Sequence, residues 1–356
     1  MQGQNTPFCT FAANIIYRMK VFYKQLNLPF EYPFTISGGR TKTHQPSLLA
    51  ALQLGQFIGY GEAPAIAYYQ IPVEQMIEDI EKKKTFIEKF ALTDPERYWH
   101  YLHHLLPTNP FLVCALDIAC WDLFGKMQNQ PLYKLWNTEW TNTPPTDYTI
   151  GIDTIEAMVA KIKAKPWPIY KIKLGTQEDI EIVTALRRHT DAVFRVDANA
   201  GWTADEALEK IKQLQQLNVE FIEQPLAKDD WEGMKMLFEK SPLPLFADES
   251  CVLEHDVEKC HNHFHGINIK LTKCSGITPA LRMIKQARSL GMKVMMGCMN
   301  ESTVGSAAIA HFLPQLDYVD MDGPLLLSQD VARGLQYNSN GQVSVSGKPG
   351  LGIEVR

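Results

Sequence analysis

Seven polar residues recur through the second half of the chain, each closing a short β-like run. They are Lys173, Asp197, Glu223, Asp248, Lys270, Cys298 and Asp320, spaced 24, 26, 25, 22, 28 and 22 residues apart. Asp197, Glu223 and Asp248 close three successive runs (Phe-Arg-Val-Asp, Phe-Ile-Glu and Leu-Phe-Ala-Asp). Carboxylates brought together at adjacent strand ends repel unless a cation sits between them. An all-oxygen donor set without His or Cys selects a hard divalent ion, and Mg²⁺ is the expected cofactor. Strand-end acids that merely cap the following helices are the alternative for any one of the three, less so for three in register.

Lys171 and Lys173 stand two apart, so on a strand both point to one side while Ile172 and Leu174 point to the other. Lys270 ends Gly-Ile-Asn-Ile-Lys in the same alternation, with Asn268 and Lys270 on the polar face. A buried lysine is costly unless it has work to do. A neighbouring ammonium also lowers a lysine's pKa toward a usable base. Lysines facing each other across a metal could remove a proton from one face of a carbon and return one to the other. An exposed edge strand carrying solvated lysines is the bland reading of Lys171 and Lys173.

Each step in the series has room for one strand, one helix and two short loops. Such βα units with polar strand ends imply an α/β fold, a parallel barrel with its chemistry on the C-terminal rim. The rhythm begins at a strand over Tyr148–Ile152 and a helix over Ile155–Lys163. Before it, residues 15 to 63 read as an antiparallel meander. Ser47–Gln53 and Gln56–Glu62 form a hairpin turning at Gly55, and the Pro-broken Leu26–Phe34 stretch reads as loop. Helical periods follow over Val73–Phe90, from Asp94-Pro95 and from Asn109-Pro110; the last is apolar almost all round and expected between domains. The expected division is residues 1–138 as an α+β cap, 139–325 as barrel and 326–356 as a tail returning to the cap.

The composition restricts the rest. At 356 residues with 45% hydrophobic content and net charge −5, the chain has no basic surplus for nucleic acid or anionic membranes. Seven scattered cysteines form no Cys-x-x-Cys pair, which suits a reducing cytoplasm. No apolar run reaches the length of a membrane span. Met1–Asn14 lacks the basic-then-apolar pattern of a secretion signal. The histidines at 261, 263 and 265 lack zinc spacing and precede a strand, so they read as structural or solvent-facing.

The combination resembles the enolase superfamily, in its muconate-lactonising-enzyme-like subgroup, and within it the dipeptide epimerases. The matching pieces are Lys171-x-Lys173, Asp197-Ala-Asn199, Glu223-Gln-Pro225, Asp248-Glu-Ser250, Asn268-Ile-Lys270, Asp320-x-Asp322-Gly-Pro, Gly61-Glu-Ala-Pro64 and Lys348-Pro-Gly-Leu-Gly. The resemblance implies a capping domain on a modified (β/α)8-type, TIM-like barrel. It implies Mg²⁺ on Asp197, Glu223 and Asp248, with Lys173 and Lys270 exchanging the α-proton and Lys171 supporting the substrate carboxylate. Asp320 and Asp322 would hold the α-ammonium of a dipeptide, with Thr149 and Cys298 lining the pocket. An acidic pair there would repel the dianionic substrates of other subgroup members. Arg40 aligns with a position that meets a glutamate side chain, whereas Phe30, Phe34 and Ile66 favour an apolar one, so the second residue stays open. A small-molecule dipeptide substrate and a homo-oligomer are expected. Other reactions of the subgroup (N-acyl amino acid racemisation, o-succinylbenzoate synthesis, muconate cycloisomerisation) stay open, as does a silent ligand-binding protein, against which two opposed lysines argue.

Overall fold

The computed structural model describes residues 18–36 and 40–356. The reading of Met1–Asn14 lies outside them. The chain opens with an antiparallel sheet in the order β1 (Lys20–Ile36), β2 (Arg40–Leu54), β3 (Phe57–Pro64). The hairpin falls where the sequence places it: Leu54 pairs with Phe57, and Gly55 takes φ +59°, in the left-handed region that glycine enters at no steric cost. Leu26–Phe34 is not a loop but part of β1. The register breaks between Pro29 and Phe34, and β1 is an edge strand, where a residue lacking an N–H is tolerated.

Four helices follow: α1 (Val73–Lys89), α2 (Pro95–Leu105), α3 (Pro110–Met127) and the single turn α4 (Leu132–Leu135). Asp94 and Asn109 cap α2 and α3, their side chains accepting from Arg97 N and Leu112 N, each ahead of a proline at the first helical position. Helix α3 is buried nearly all round because it serves two cores. Leu112, Leu116 and Leu123 pack with the antiparallel sheet, and Cys114 and Ile118 with the barrel.

The barrel alternates β4 (Tyr148–Ile150), α5 (Ile155–Ala164), β5 (Ile169–Lys173), α6 (Asp179–Arg187), β6 (Val193–Asp197), α7 (Ala204–Gln215), β7 (Val219–Glu223), α8 (Trp231–Lys240), β8 (Leu245–Ala247), α9 (Glu254–Cys260) and β9 (Gly266–Ile269). A short turn α10 (Leu271–Cys274) precedes α11 (Ile277–Ser289), then β10 (Lys293–Gly297), α12 (Thr303–Ala310), β11 (Tyr318–Asp320) and α13 (Gly323–Leu326). The eight strands are parallel in unbroken order from β4 to β11, and a parallel bridge between Thr146 and Val319 joins the two ends.

Alternation gives the interior two layers. Arg195, Phe221, Phe246, Met295 and Tyr318 fill the lower one: the aromatic rings pack on one another, and Arg195 pairs with Asp147 at 2.9 Å. Two residues further along their strands stand Asp197, Glu223, Asp248 and Asp320. The packed layer is thus a floor, and the polar layer is the site. Beyond α13 come four short strands, β12 (Ala332–Arg333), β13 (Leu335–Tyr337), β14 (Val343–Val345) and β15 (Glu354–Val355). They run back to α3, where Asp122 Oδ1 accepts from Leu351 N at 2.8 Å.

Candidate active site

The sheet order distributes the polar layer around the rim. Lys173 ends β5, and Lys270 follows β9, four strands on in an eight-stranded ring, so the two lysines come from opposite walls. Between them on one side lie the ends of β6, β7 and β8 with Asp197, Glu223 and Asp248. On the other side lie β10, β11 and β4, which carry Cys298, Asp320 and Thr149.

One oxygen from each of Asp197, Glu223 and Asp248 lies within 4.8 Å of the other two, and all three residues are buried. Asn268 Nδ2 donates to Glu223 Oε1 at 2.7 Å. Glu223 Oε2 has no hydrogen-bond partner; Lys171 Nζ is 2.8 Å away, close enough for attraction but outside hydrogen-bond geometry. A buried trio of carboxylates with an unbonded oxygen and no softer donor fits a small hard cation.

Lysines occupy the remaining valences. Lys173 Nζ is 2.6 Å from Asp197 Oδ2, and Lys270 Nζ is 2.7 Å from Asp248 Oδ2. Lys171 reaches Asp320 Oδ2 at 2.8 Å and Asp197 Oδ2 at 3.2 Å. Burial works against the Lys270 ammonium, but Asp248 outweighs it and holds the group above the ordinary lysine range. At Lys171 burial is likewise overridden, by Asp320, Glu223 and Asp197, and the ammonium is held well above that range. The rule that one ammonium lowers the next is therefore outweighed at these two positions, because the carboxylates between them are closer.

On the opposite side, Asp322 follows β11 and accepts from Thr149 N at 2.6 Å, while Cys298 Sγ lies 3.6 Å from Asp322 Oδ1. Burial, then the neighbouring Asp320, pushes the Asp322 carboxyl up to about 7. At Asp320 burial is overridden by Lys171, which holds that carboxyl below its ordinary range; a cation placed between the two acids would relieve the repulsion felt at Asp322. A cavity of about 380 Å³ joins both halves; its barrel wall includes Lys171, Lys173, Lys270, Asp320 and Asp322. Phe34, Lys42, Ile66, Tyr68 and Tyr69 roof it from the antiparallel sheet and the segment after it. Thr149 and Cys298 line it too. Arg40 opens β2 opposite Ile36, and its side chain lies outside the described residues.

A family model described as enolase C-terminal domain-like matches residues 153–356. The chain belongs to the enolase superfamily. It is 51% identical over 335 residues to the L-Ala-D/L-amino acid epimerase of Flavobacterium johnsoniae, covering 94% of this chain and 99% of that one. The superfamily fold is shared along nearly the whole chain. The solved L-Ala-D/L-Glu epimerase of Bacillus subtilis superposes with a TM-score of 0.89 at 29% identity, over 95% of this chain and 98% of that one. A dipeptide epimerase from Cytophaga hutchinsonii, solved with Mg and D-Ala-L-Val, gives 0.90 at 27% identity, over 96% of both chains.

Some residues of this superfamily site escape period-2 reasoning. Glu249 and Asn199 line the cavity just beyond strand ends, where alternation no longer predicts direction. Tyr69 arrives from a turn outside the barrel. His265 Nδ1 accepts from Leu245 N at 3.0 Å, at the start of β8.

Proposed function

We propose that this chain is a Mg²⁺-dependent epimerase of Ala-Xaa dipeptides, inverting the α-carbon of the second residue through Lys173 and Lys270. The observation that carries this reading is the division of the rim: lysines on opposite walls, an acidic metal half on one side and a second acidic pair on the other. Asp197, Glu223 and Asp248 would hold the ion, which when bound supplies Lewis-acid stabilisation to the substrate carboxylate. A dipeptide laid across the rim puts its carboxylate toward those three residues and its ammonium between Asp320 and Asp322. Its second α-carbon then falls between the lysines. One lysine amine takes the α-proton, leaving the electron pair in an enediolate. The opposite ammonium delivers a proton to the other face, and the configuration is inverted. Lys171, bridging both halves, supports the carboxylate.

Cytoplasmic residence and the absence of nucleic-acid partners belong to the same reading, on the unpaired cysteines and the small net charge. Self-association into a homo-oligomer rests on family resemblance. Among the described residues no helix is long and apolar enough to cross a membrane.

The test is an Ala-Xaa library in deuterated water, read by mass spectrometry for incorporation at the second α-carbon. N-acetylation of the best substrate should cost a buried ion pair, ~3–5 kcal/mol, seen as a fall in kcat/KM of roughly 10²- to 10³-fold or more. Equal rates on free and acetylated substrates would transfer the assignment to N-acyl amino acid racemisation.

A further inference from the structure

Lys273 takes no part in the two-lysine chemistry, yet it is more deeply buried than either Lys173 or Lys270. It stands three residues past Lys270 in α10 and is 1% exposed. Its ammonium lies 2.6 Å from Asp248 Oδ1, 2.6 Å from the Asp248 carbonyl, 3.0 Å from Cys251 O and 3.3 Å from Asn268 O. Three N–H groups facing four acceptors leave no donor unused. A buried ammonium so surrounded is fixed in place, and it joins the end of β8, the loop after it and β9.

The consequence falls on Asp248. One of its oxygens, Oδ1, is held by Lys273, and only Oδ2, now against Lys270, remains outside that grip. We propose that Lys273 is a positioning residue that restricts Asp248 to one-oxygen ligation and so tunes the trio for a small octahedral cation. This rests on the reading of Asp197, Glu223 and Asp248 as the metal site. Mg²⁺ demands near-ideal octahedral geometry and takes carboxylates through single oxygens, whereas Ca²⁺ accepts six to eight ligands and chelating carboxylates. Freeing Oδ1 removes the restriction and with it the preference. An ammonium that served only to fill the space between β8 and β9 would have no reason to influence which ion binds.

The experiment is calorimetric titration of the full chain with Mg²⁺ and, separately, Ca²⁺, in wild type, Lys273→Met and Lys273→Gln, with folding checked by circular dichroism. Loss of a group that orients a ligand typically weakens metal binding ~10–100-fold. The expected result is that fall for Mg²⁺ with a much smaller fall for Ca²⁺, so that the Mg²⁺/Ca²⁺ affinity ratio drops by about tenfold or more in the folded variants. An unchanged ratio in a folded variant overturns the proposal, whether both affinities fall together or neither moves. If Lys273→Met does not fold, Lys273→Gln, which keeps an uncharged N–H donor group, decides by the same ratio. Failure of both to fold makes the ammonium purely structural and also overturns it. A wild type that shows no one-to-one Mg²⁺ isotherm fails earlier and differently, by removing the metal reading itself.

Discussion

Lys173 and Lys270 are each tied to a different carboxylate, Asp197 and Asp248, and each approaches the cavity from its own wall. If they face opposite sides of the α-carbon, each handles the proton of one stereoisomer. Lys173→Ala and Lys270→Ala should both abolish net epimerisation, because inversion needs removal on one face and delivery on the other. Each variant should still wash deuterium into one isomer with retention, and the two should choose opposite isomers. That residual exchange should be slow, since loss of a positioned acid–base group costs ~10²–10⁴-fold. Deuterium content of each separated isomer is the measurement, and exchange of the same isomer by both variants contradicts the mechanism. Chelation should likewise abolish turnover and added Mg²⁺ restore it; full activity in chelator would remove the metal from the reaction. The residues carrying these predictions were readable from the chain because a strand has a period of two, and a charged residue on an otherwise apolar barrel strand is conspicuous. Lys273 was not, since it sits one helical turn past its strand and its meaning depends on carbonyls of two other segments.

Strands and helices show the same contrast between local and distant information. Helices α2 and α3 announce themselves through Asp-Pro and Asn-Pro, and the barrel units through their spacing, because each signal is complete within a few residues. The Leu26–Phe34 part of β1 reads as loop because Pro29 and Pro33 argue against a strand unless its edge position and register break are known. The approach of α3 to β3 is equally invisible in the chain. At Gly61 an added Cβ would stand 2.0 Å from Ala115 O and 2.6 Å from Ala119 N, and at Gly59 2.1 Å from Ala119 O. These opposing atoms are helix backbone and cannot rotate aside. Gly61→Ala should therefore force strand and helix apart and destabilise the protein by ~1–3 kcal/mol, toward the upper end. The neighbouring Glu62 accepts from Ser302 N and Gly305 N at the start of α12, so the displacement would be carried into the barrel. A urea midpoint for Gly61→Ala equal to wild type would show that the contact relaxes freely.

For the molecule as a whole, the antiparallel sheet, barrel and tail are joined by seams that contain buried titratable groups away from the rim. At one seam Asp117 of α3 accepts from Thr278 N at 3.0 Å and Thr278 Oγ1 at 2.8 Å, at the start of α11. Burial outweighs those bonds and pushes its carboxyl from 3.8 up to about 7. At another, His311 after α12 stacks on Tyr133, and Tyr133 N donates to its Nδ1 at 3.4 Å. Burial drives that imidazole from 6.5 down to about 4. Between about pH 4 and 6.5 the unfolded chain protonates His311 while the fold keeps it neutral, so this group makes stability rise with pH. Over the same window the unfolded chain ionises Asp117 while the fold keeps it protonated, so that group makes stability fall with pH. Each difference of one proton is worth about 1.4 kcal/mol per pH unit, and in the wild type the two cancel. Single variants should unmask them. Relative to wild type, the stability of His311→Phe should slope downward with rising pH and that of Asp117→Asn upward, each by about 1.4 kcal/mol per unit near the middle of the window. Urea unfolding at pH 4.5, 5.5 and 6.5 reads the slopes independently of any constant loss the substitutions bring. Parallel curves for all three proteins would mean that neither seam holds its group in the protonation state the structure assigns.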